Sequence, residues 1–329
     1  MRRLPLLKLV PDNTNIDFVR WRPVAIGLSV LLIAASIFLI ATRGLNLGVD
    51  FIGGQEIRAT FVNSAEAPVA QLRQSVGALP NVGDPVIQRF GDPNQVAIRL
   101  RLPPEAAGDK AFADRVTNQI VSSLRAGYPG VRIDGVDSVS GKVSGEFRDD
   151  AIYALLIAML GVAAYIWLRF EWQFGVGAIV SLLHDTIIVL GFYALTQTEF
   201  SLNAVAALLT LIGFSLNDTV VVYDRIRENL RRYRKMDIEA LLNLSVNETL
   251  SRTVGTNGAV LLAVGALLLF GPEVIYDLTV GIFVGVVIGT YSSIYVARFL
   301  LVPLGVDTHS FVPEETAVDR QERIARGEA

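Results

Sequence analysis

The sequence predicts a polytopic α-helical membrane protein of six transmembrane helices, with one water-soluble α+β domain between the first and second. Three observations predict it. Of 329 residues, 52% are hydrophobic and 19% charged, a balance too apolar for a soluble globular chain. Uncharged or nearly uncharged runs long enough to cross a bilayer recur six times. Between the first and second runs, the hydrophobic pattern changes to short segments of strand and helix period.

Composition also excludes several function classes. There is no cysteine, which removes disulfides, iron–sulfur clusters and Cys-ligated zinc. Two histidines, His184 and His309, are too few for a histidine metal site, so no metal is expected. The net charge is -3 and the basic residues are scattered, so nucleic acid is not an expected partner.

The first span is 23–42, an uncharged run between Arg22 and Arg43. At ~1.5 Å per residue such a run crosses a ~30 Å hydrocarbon core. The stretch before it, 1–22, includes a polar segment at 12–17, and no small-x-small site follows the run. Both features favour a retained anchor over a cleaved signal peptide. Five further spans are 151–168, 172–198, 200–223, 253–272 and 278–297.

Short loops rich in Lys and Arg stay in the cytoplasm. Arg2, Arg3, Lys8, Arg20 and Arg22 mark the amino end, and six basic residues from Arg225 to Lys235 mark a loop at 224–252. The loops around Glu199 and Glu273 have neither residue type. Both termini, including the tail 298–329, are therefore expected in the cytoplasm, and 43–150 outside it.

Within 43–150, alternation at 56–63 predicts a strand, helical spacing at 67–79 a helix, and alternation at 86–90 and 95–102 a hairpin across Gly91-Asp92-Pro93-Asn94. Phe112, Val116, Ile120 and Leu124 recur every fourth residue and predict a helix over 111–126; 131–139 is the last strand. The order β-α-β-β-α-β is ferredoxin-like. Residues 135–142 superficially suggest a phosphate-binding loop, but the spacing is one residue too long and Val143 replaces the required hydroxyl residue.

Charges inside the spans are the candidate site. Asp218 lies six residues before Asp224, about 9 Å inside the end of the fourth span. A charged Asp in lipid costs about 3 kcal/mol or more, and such residues mark ion or proton paths. The alternative is a structural Asp bonded between helices, with Asn217 and Thr219 in support. His184 and Asp185 lie near the middle of the third span. As neighbours about 100° apart on a helix they cannot both face one partner squarely, and they are either a relay or structural. Arg252, at the start of the fifth span, either pairs with Asp218 or is an ordinary basic flank. Gly281, Gly285 and Gly289 recur every fourth residue and make a smooth packing face.

Four motifs together carry a resemblance: Gly48-Val49-Asp50-Phe51-Ile52-Gly53-Gly54; His184-Asp185; the run from Ser215 through Asn217-Asp218-Thr219 into Asp224-Arg225-Ile226-Arg227-Glu228-Asn229; and Leu250-Ser251-Arg252-Thr253. Asn15-Ile16-Asp17-Phe18 also looks like the family's entry to the first span. Over nearly its whole length the chain resembles SecF, the smaller member of the SecD/SecF protein-export pair of the resistance-nodulation-division (RND) superfamily. Ile52 stands where that family often has Thr, and 138–145 lacks an expected Pro.

The resemblance implies half of an RND-type bundle with a periplasmic domain, in the cell inner membrane. It implies a SecD-like partner and action on a translocating preprotein after the SecYEG channel and the SecA motor have started transport; it allows a YajC-like accessory subunit. Gly48, Asp50, Gly53 and Gly54 would form the family motif at the domain entry. Proton flow would drive the work, with Asp218 and Arg252 as functional residues, His184 and Asp185 as further relay candidates, and no cofactor beyond the coupling protons. Two rivals stand beside it. An RND-type half-transporter of a small molecule or lipid would have two large external loops, and a passive scaffold would tolerate loss of Asp218 and Arg252. An enzyme is not expected, since no nucleophile, metal cluster or nucleotide loop is present.

Overall fold

The computed structural model describes residues 11, 14–80, 82, 85–89, 91–100 and 110–307. The first helix, α1 (Arg22–Arg43), begins with Pro23 in its first turn, where a missing N–H costs nothing, and stops at Gly44 with a positive φ of 69°. A single turn, α2 (Val49–Ile52), leads into the sheet domain. That domain contains β1 (Gly54–Phe61), α3 (Val69–Gly77), β2 (Val86–Arg89), β3 (Gln95–Leu100), α4 (Lys110–Gly127) and β4 (Val131–Val139).

The strand order is β2-β3-β1-β4 with every neighbour antiparallel, the ferredoxin-like arrangement that the sequence order predicts. One face carries the core. Ile57, Ala59 and Phe61 of β1 and Val96, Ile98 and Leu100 of β3 pack on Leu72 and Val76 of α3 and on Val116, Ile120 and Leu124 of α4. Because side chains alternate along a strand, Glu56, Arg58 and Arg99 project from the opposite face. That face is turned to the membrane helices, and Glu56 and Arg99 are buried on it.

Helix α5 (Gly141–Arg169) starts ten residues earlier than the predicted span 151–168, because Ser140 caps it through the Val143 amide at 3.3 Å. The boundary at 150 therefore falls inside a helix, and the domain ends with β4. Helix α6 (Trp172–Thr196) closes on Gln197 in the left-handed conformation.

The predicted loop at 224–252 is a helical hairpin instead. Helix α7 (Leu202–Arg232) continues nine residues past the expected span, and α8 (Ile238–Phe270) begins fifteen residues before the expected one. Polar and charged side chains that suggested a loop hold the two extensions together: Arg225 of α7 bonds Glu248 of α8 at 2.7 Å, and Asn229 of α7 bonds Ser245 of α8 at 3.0 Å. Asp237 caps α8 by accepting from two backbone amides.

Helices α9 (Tyr276–Ile294) and α10 (Val296–Phe299) follow. The expected tail is folded at its start, where Arg298, Leu301 and Val306 are buried under the bundle; 308–329 lie outside the described residues. At the other terminus, Asn243 and Asn247 of α8 bond the Ile16 backbone, and Phe18 is buried beside Tyr295.

Six helices among the described residues are long and apolar enough to cross a membrane. Helices α6, α7 and α9 form the inside of the bundle, while α1, α5 and α8 leave most of their surface bare. Leu168, Leu262 and Phe270 are exposed by 90%, 79% and 87%, which suits hydrocarbon or a second protein and not water. The glycine face does pack closely: Gly281 lies against Tyr193 and Ala207, Gly285 against Leu211 and Gly289 against Ser215. Residues 207, 211 and 215 are one stripe of α7, so the two helices meet almost backbone to backbone.

Candidate functional site: polar groups inside the bundle

Asp218 is buried in α7, and its partner is a neutral amide. Asn257 Nδ2 of α8 donates to Asp218 Oδ2 at 2.5 Å and reaches Thr290 Oγ1 of α9 at 2.6 Å. Thr290 Oγ1 in turn donates to the Val286 carbonyl at 2.6 Å. Arg252 lies five residues before Asn257 on the same helix, about 7.5 Å along its axis. It is exposed, and it forms no direct ion pair with Asp218, although its charge is felt there. Of the two alternatives for Arg252, direct pairing is not what the structure shows: Asn257, within an apolar run of α8, takes that place beside Asp218.

The two neighbours of Asp218 divide. Thr219 is buried and donates to Ser293 Oγ of α9 at 3.5 Å. Asn217 is exposed: one helical step of about 100° turns it out of the bundle. It does not support Asp218, and it presents an amide to whatever adjoins α7.

His184 and Asp185 form the second polar centre, joining four helices. Asp185 Oδ2 accepts from Ser215 Oγ of α7 at 2.6 Å and from Ser292 Oγ of α9 at 2.7 Å. His184 Nε2 contacts Ser29 Oγ of α1 at 3.2 Å, and Nδ1 contacts Asp185 Oδ1 at 2.8 Å. The 100° argument holds for their outward partners, but the imidazole also folds back onto its neighbour. Ser215 is three residues before Asp218, about 4.5 Å along α7, so the two centres lie in adjacent layers.

Hydrogen-bond directions fix one proton here. The Ala25 carbonyl only accepts, so Tyr291 OH donates to it at 2.6 Å. Ser29 Oγ then donates to the Tyr291 oxygen at 2.9 Å, and its own oxygen accepts from His184 Nε2. The nitrogen-15 spectrum of histidine-labelled protein, simple to assign with two histidines, is expected to show His184 protonated at Nε2 near neutral pH. A tautomer protonated at Nδ1 alone would contradict that chain of donors.

The residues at the domain entry have structural tasks. Gly53 and Gly54 take φ values of 68° and 117°, which only glycine adopts without strain, where the chain turns into β1. Asp50 Oδ2 accepts from the Leu202 amide at 2.9 Å, serving the open end of α7. The Gly48 amide donates to the Phe200 carbonyl at 3.0 Å. A side chain at Gly48 would strike the Glu199 carboxylate.

That carboxylate belongs to a cluster that no spacing in the chain suggests. Arg99 Nε donates to Glu56 Oε2 at 2.7 Å, Nη1 to Asn46 Oδ1 at 2.9 Å, and Nη2 to Glu199. Glu56 and Arg99 are directly opposed across β1 and β3, so their pairing is a cross-strand one. Glu199 sits in the turn between α6 and α7. The cluster ties the sheet to the bundle.

A sheet domain on a bundle of six membrane-length helices, whose inner helices bury an Asp and a His–Asp pair, defines a multi-pass membrane protein. Residues 119–307 match the C-terminal family of the protein export membrane proteins SecD/SecF, and 38–65 match the SecD/SecF GG motif. The protein translocase subunit SecF of Cereibacter sphaeroides is 44% identical over 305 residues, covering 92% of this chain and 93% of its own; that of Rhodobacter capsulatus is 42% identical over 310 residues, covering 92% of each. The crystal structure of SecDF from Thermus thermophilus, a translocon-associated membrane protein, superposes with a TM-score of 0.80 at 31% identity. The superposition covers 89% of this chain and 39% of that longer one. SecDF in a super-membrane-facing form gives a TM-score of 0.65 at 30% identity, with 99% and 41% covered. The chain belongs to the SecF family.

Proposed function

We propose that this chain is the SecF-like subunit of an accessory complex of the Sec translocase, acting in the inner membrane with both termini in the cytoplasm and the sheet domain outside. With a SecD-like subunit it uses the proton motive force to promote late steps of preprotein translocation, after SecYEG and SecA have begun them. Protons are the coupling ion, and the chain carries out no enzymatic step of its own.

The observation that carries this reading is Asp218, a carboxyl within a membrane span whose closest partner is the neutral amide of Asn257. A hydrogen bond to an ionised carboxylate is about twice as strong as one to its neutral form. Protonation therefore loosens the link between α7 and α8. Both helices extend past the membrane in the hairpin that also holds Ile16, so a change in their packing has a rigid element to act on. Arg252 and Asn217 are both exposed near this level, and polar groups facing lipid are costly; a second half-bundle would shield them. The chain's span of 39% of the Thermus SecDF chain fits a division of one bundle between two subunits.

Gentle purification from native membranes tests the assembly. A SecD-like subunit is expected to co-purify with it. Recovery of this chain with a second copy of itself, or with an unrelated transporter half, would overturn the reading.

A further inference from the structure

The cluster at the domain–bundle contact holds one cation between two carboxylates, and all three are withdrawn from water. The side chains of Arg99, Glu56 and Glu199 are exposed by 6%, 4% and 10%. Such a group is short of one positive charge, and a buried net charge is costly unless a proton supplies it. The surroundings decide which carboxylate takes that proton. Glu56 has a second cation, Arg58 of the same strand, at 3.7 Å, although Arg58 also pairs with Asp137 of β4. Among the described residues Glu199 has Arg99 as its one cation and faces two further negative groups, Glu56 and Asp277 of α9. Asp50 of α2 is held by the Leu202 amide. A cavity of about 320 Å³ whose lining includes Asp50, Glu56, Arg58, Glu199 and Asp277 adjoins the cluster, so the carboxylates are shielded from bulk water but within reach of a proton from outside.

We propose that Glu199 is a second proton-binding group of this chain, separate from the intramembrane centres, and that its protonation sets how firmly the sheet domain sits on the bundle. The assignment of this side as external rests on the orientation proposed above; the proton site itself does not. Burial away from water, reinforced by Glu56 and opposed by Arg99, pushes the Glu199 carboxyl up to about 7 from an ordinary 4.5. The seated domain therefore binds this proton more tightly than an unseated one. Seating is strongest in acid, weakens as pH rises from about 4.5 to about 7, and is level above that. An acidic exterior, the condition of an energised membrane, would hold the domain down.

Amide hydrogen exchange in the assembled complex in lipid nanodiscs tests this, read at Gly48 and Leu202, whose N–H groups bridge the contact. After correction for the intrinsic rate, protection at both is expected to fall by roughly tenfold or more between about pH 5 and about pH 8. In Glu199→Gln the fall should shrink, leaving at most the part carried by the Asp277 carboxyl that faces the same cavity. In Asp277→Asn, which removes one facing negative charge, the fall should shift to lower pH. An Asp218→Asn background should leave the fall intact, which separates this proposal from the intramembrane relay. Level protection in the wild-type protein, or a wild-type fall in Glu199→Gln, would overturn it; if Glu199→Gln does not fold, an unshifted transition in Asp277→Asn does so.

Discussion

Arg99→Met is expected to weaken the seat of the sheet domain by about 3–5 kcal/mol near neutral pH, the usual cost of removing one partner from a buried ion pair. The substitution keeps the length and apolar stem of the side chain but leaves Glu56 and Glu199 buried without their shared cation. It also strips Asn46 of a donor that ties the sheet to the segment after α1. The loss should shrink in acid, since protonated carboxyls no longer need a cation. Thermal unfolding and exchange at Gly48, followed at both ends of the pH range, check it. Wild-type stability of Arg99→Met at neutral pH would mean that this contact is not what holds the domain.

Asp218→Asn is expected to abolish proton-dependent stimulation of export, lowering it by roughly 10²-fold, as removal of a proton-transfer group commonly does. Asparagine has the same shape, and its carbonyl oxygen can still accept from Asn257. The amount of protein in the membrane should therefore survive, with the α7–α8 link held in its weaker, neutral form, while the ability to bind and release a proton is lost. A passive scaffold would show no such loss.

How much of this was legible in the sequence varies with the kind of interaction. Helix α1 was plain because Arg22 and Arg43 bound an uncharged run. The sheet domain was plain because its strands and helices change period sharply. The hairpin at 224–252 is hidden in the sequence because a run of charges reads as solvated loop. Their spacing, Arg225 to Glu228 and Asn229, is the i, i+3 and i, i+4 pattern of a helix and could have found it.

The site is a different matter. Asp218 and the His184-Asp185 pair stood out because charges in apolar runs are rare. Asn257 did not, because only the rotation and depth at which α8 packs on α7 decide which of its residues lies opposite Asp218. That same packing leaves Arg252 about a turn and a half away. Arg99 and Glu199 are one hundred residues apart, and a charged face on a strand ordinarily reads as wet. Only docking of the sheet on the α6–α7 turn buries it.

The central claim is that a proton taken up at Asp218 drives the work. Its most direct measure is the initial rate of preprotein import into inverted inner-membrane vesicles, with and without a proton gradient, for wild type and Asp218→Asn at matched amounts of assembled complex. The variant is expected to keep the gradient-independent rate and to lose the increment the gradient adds. A variant that retains the wild-type increment would contradict it.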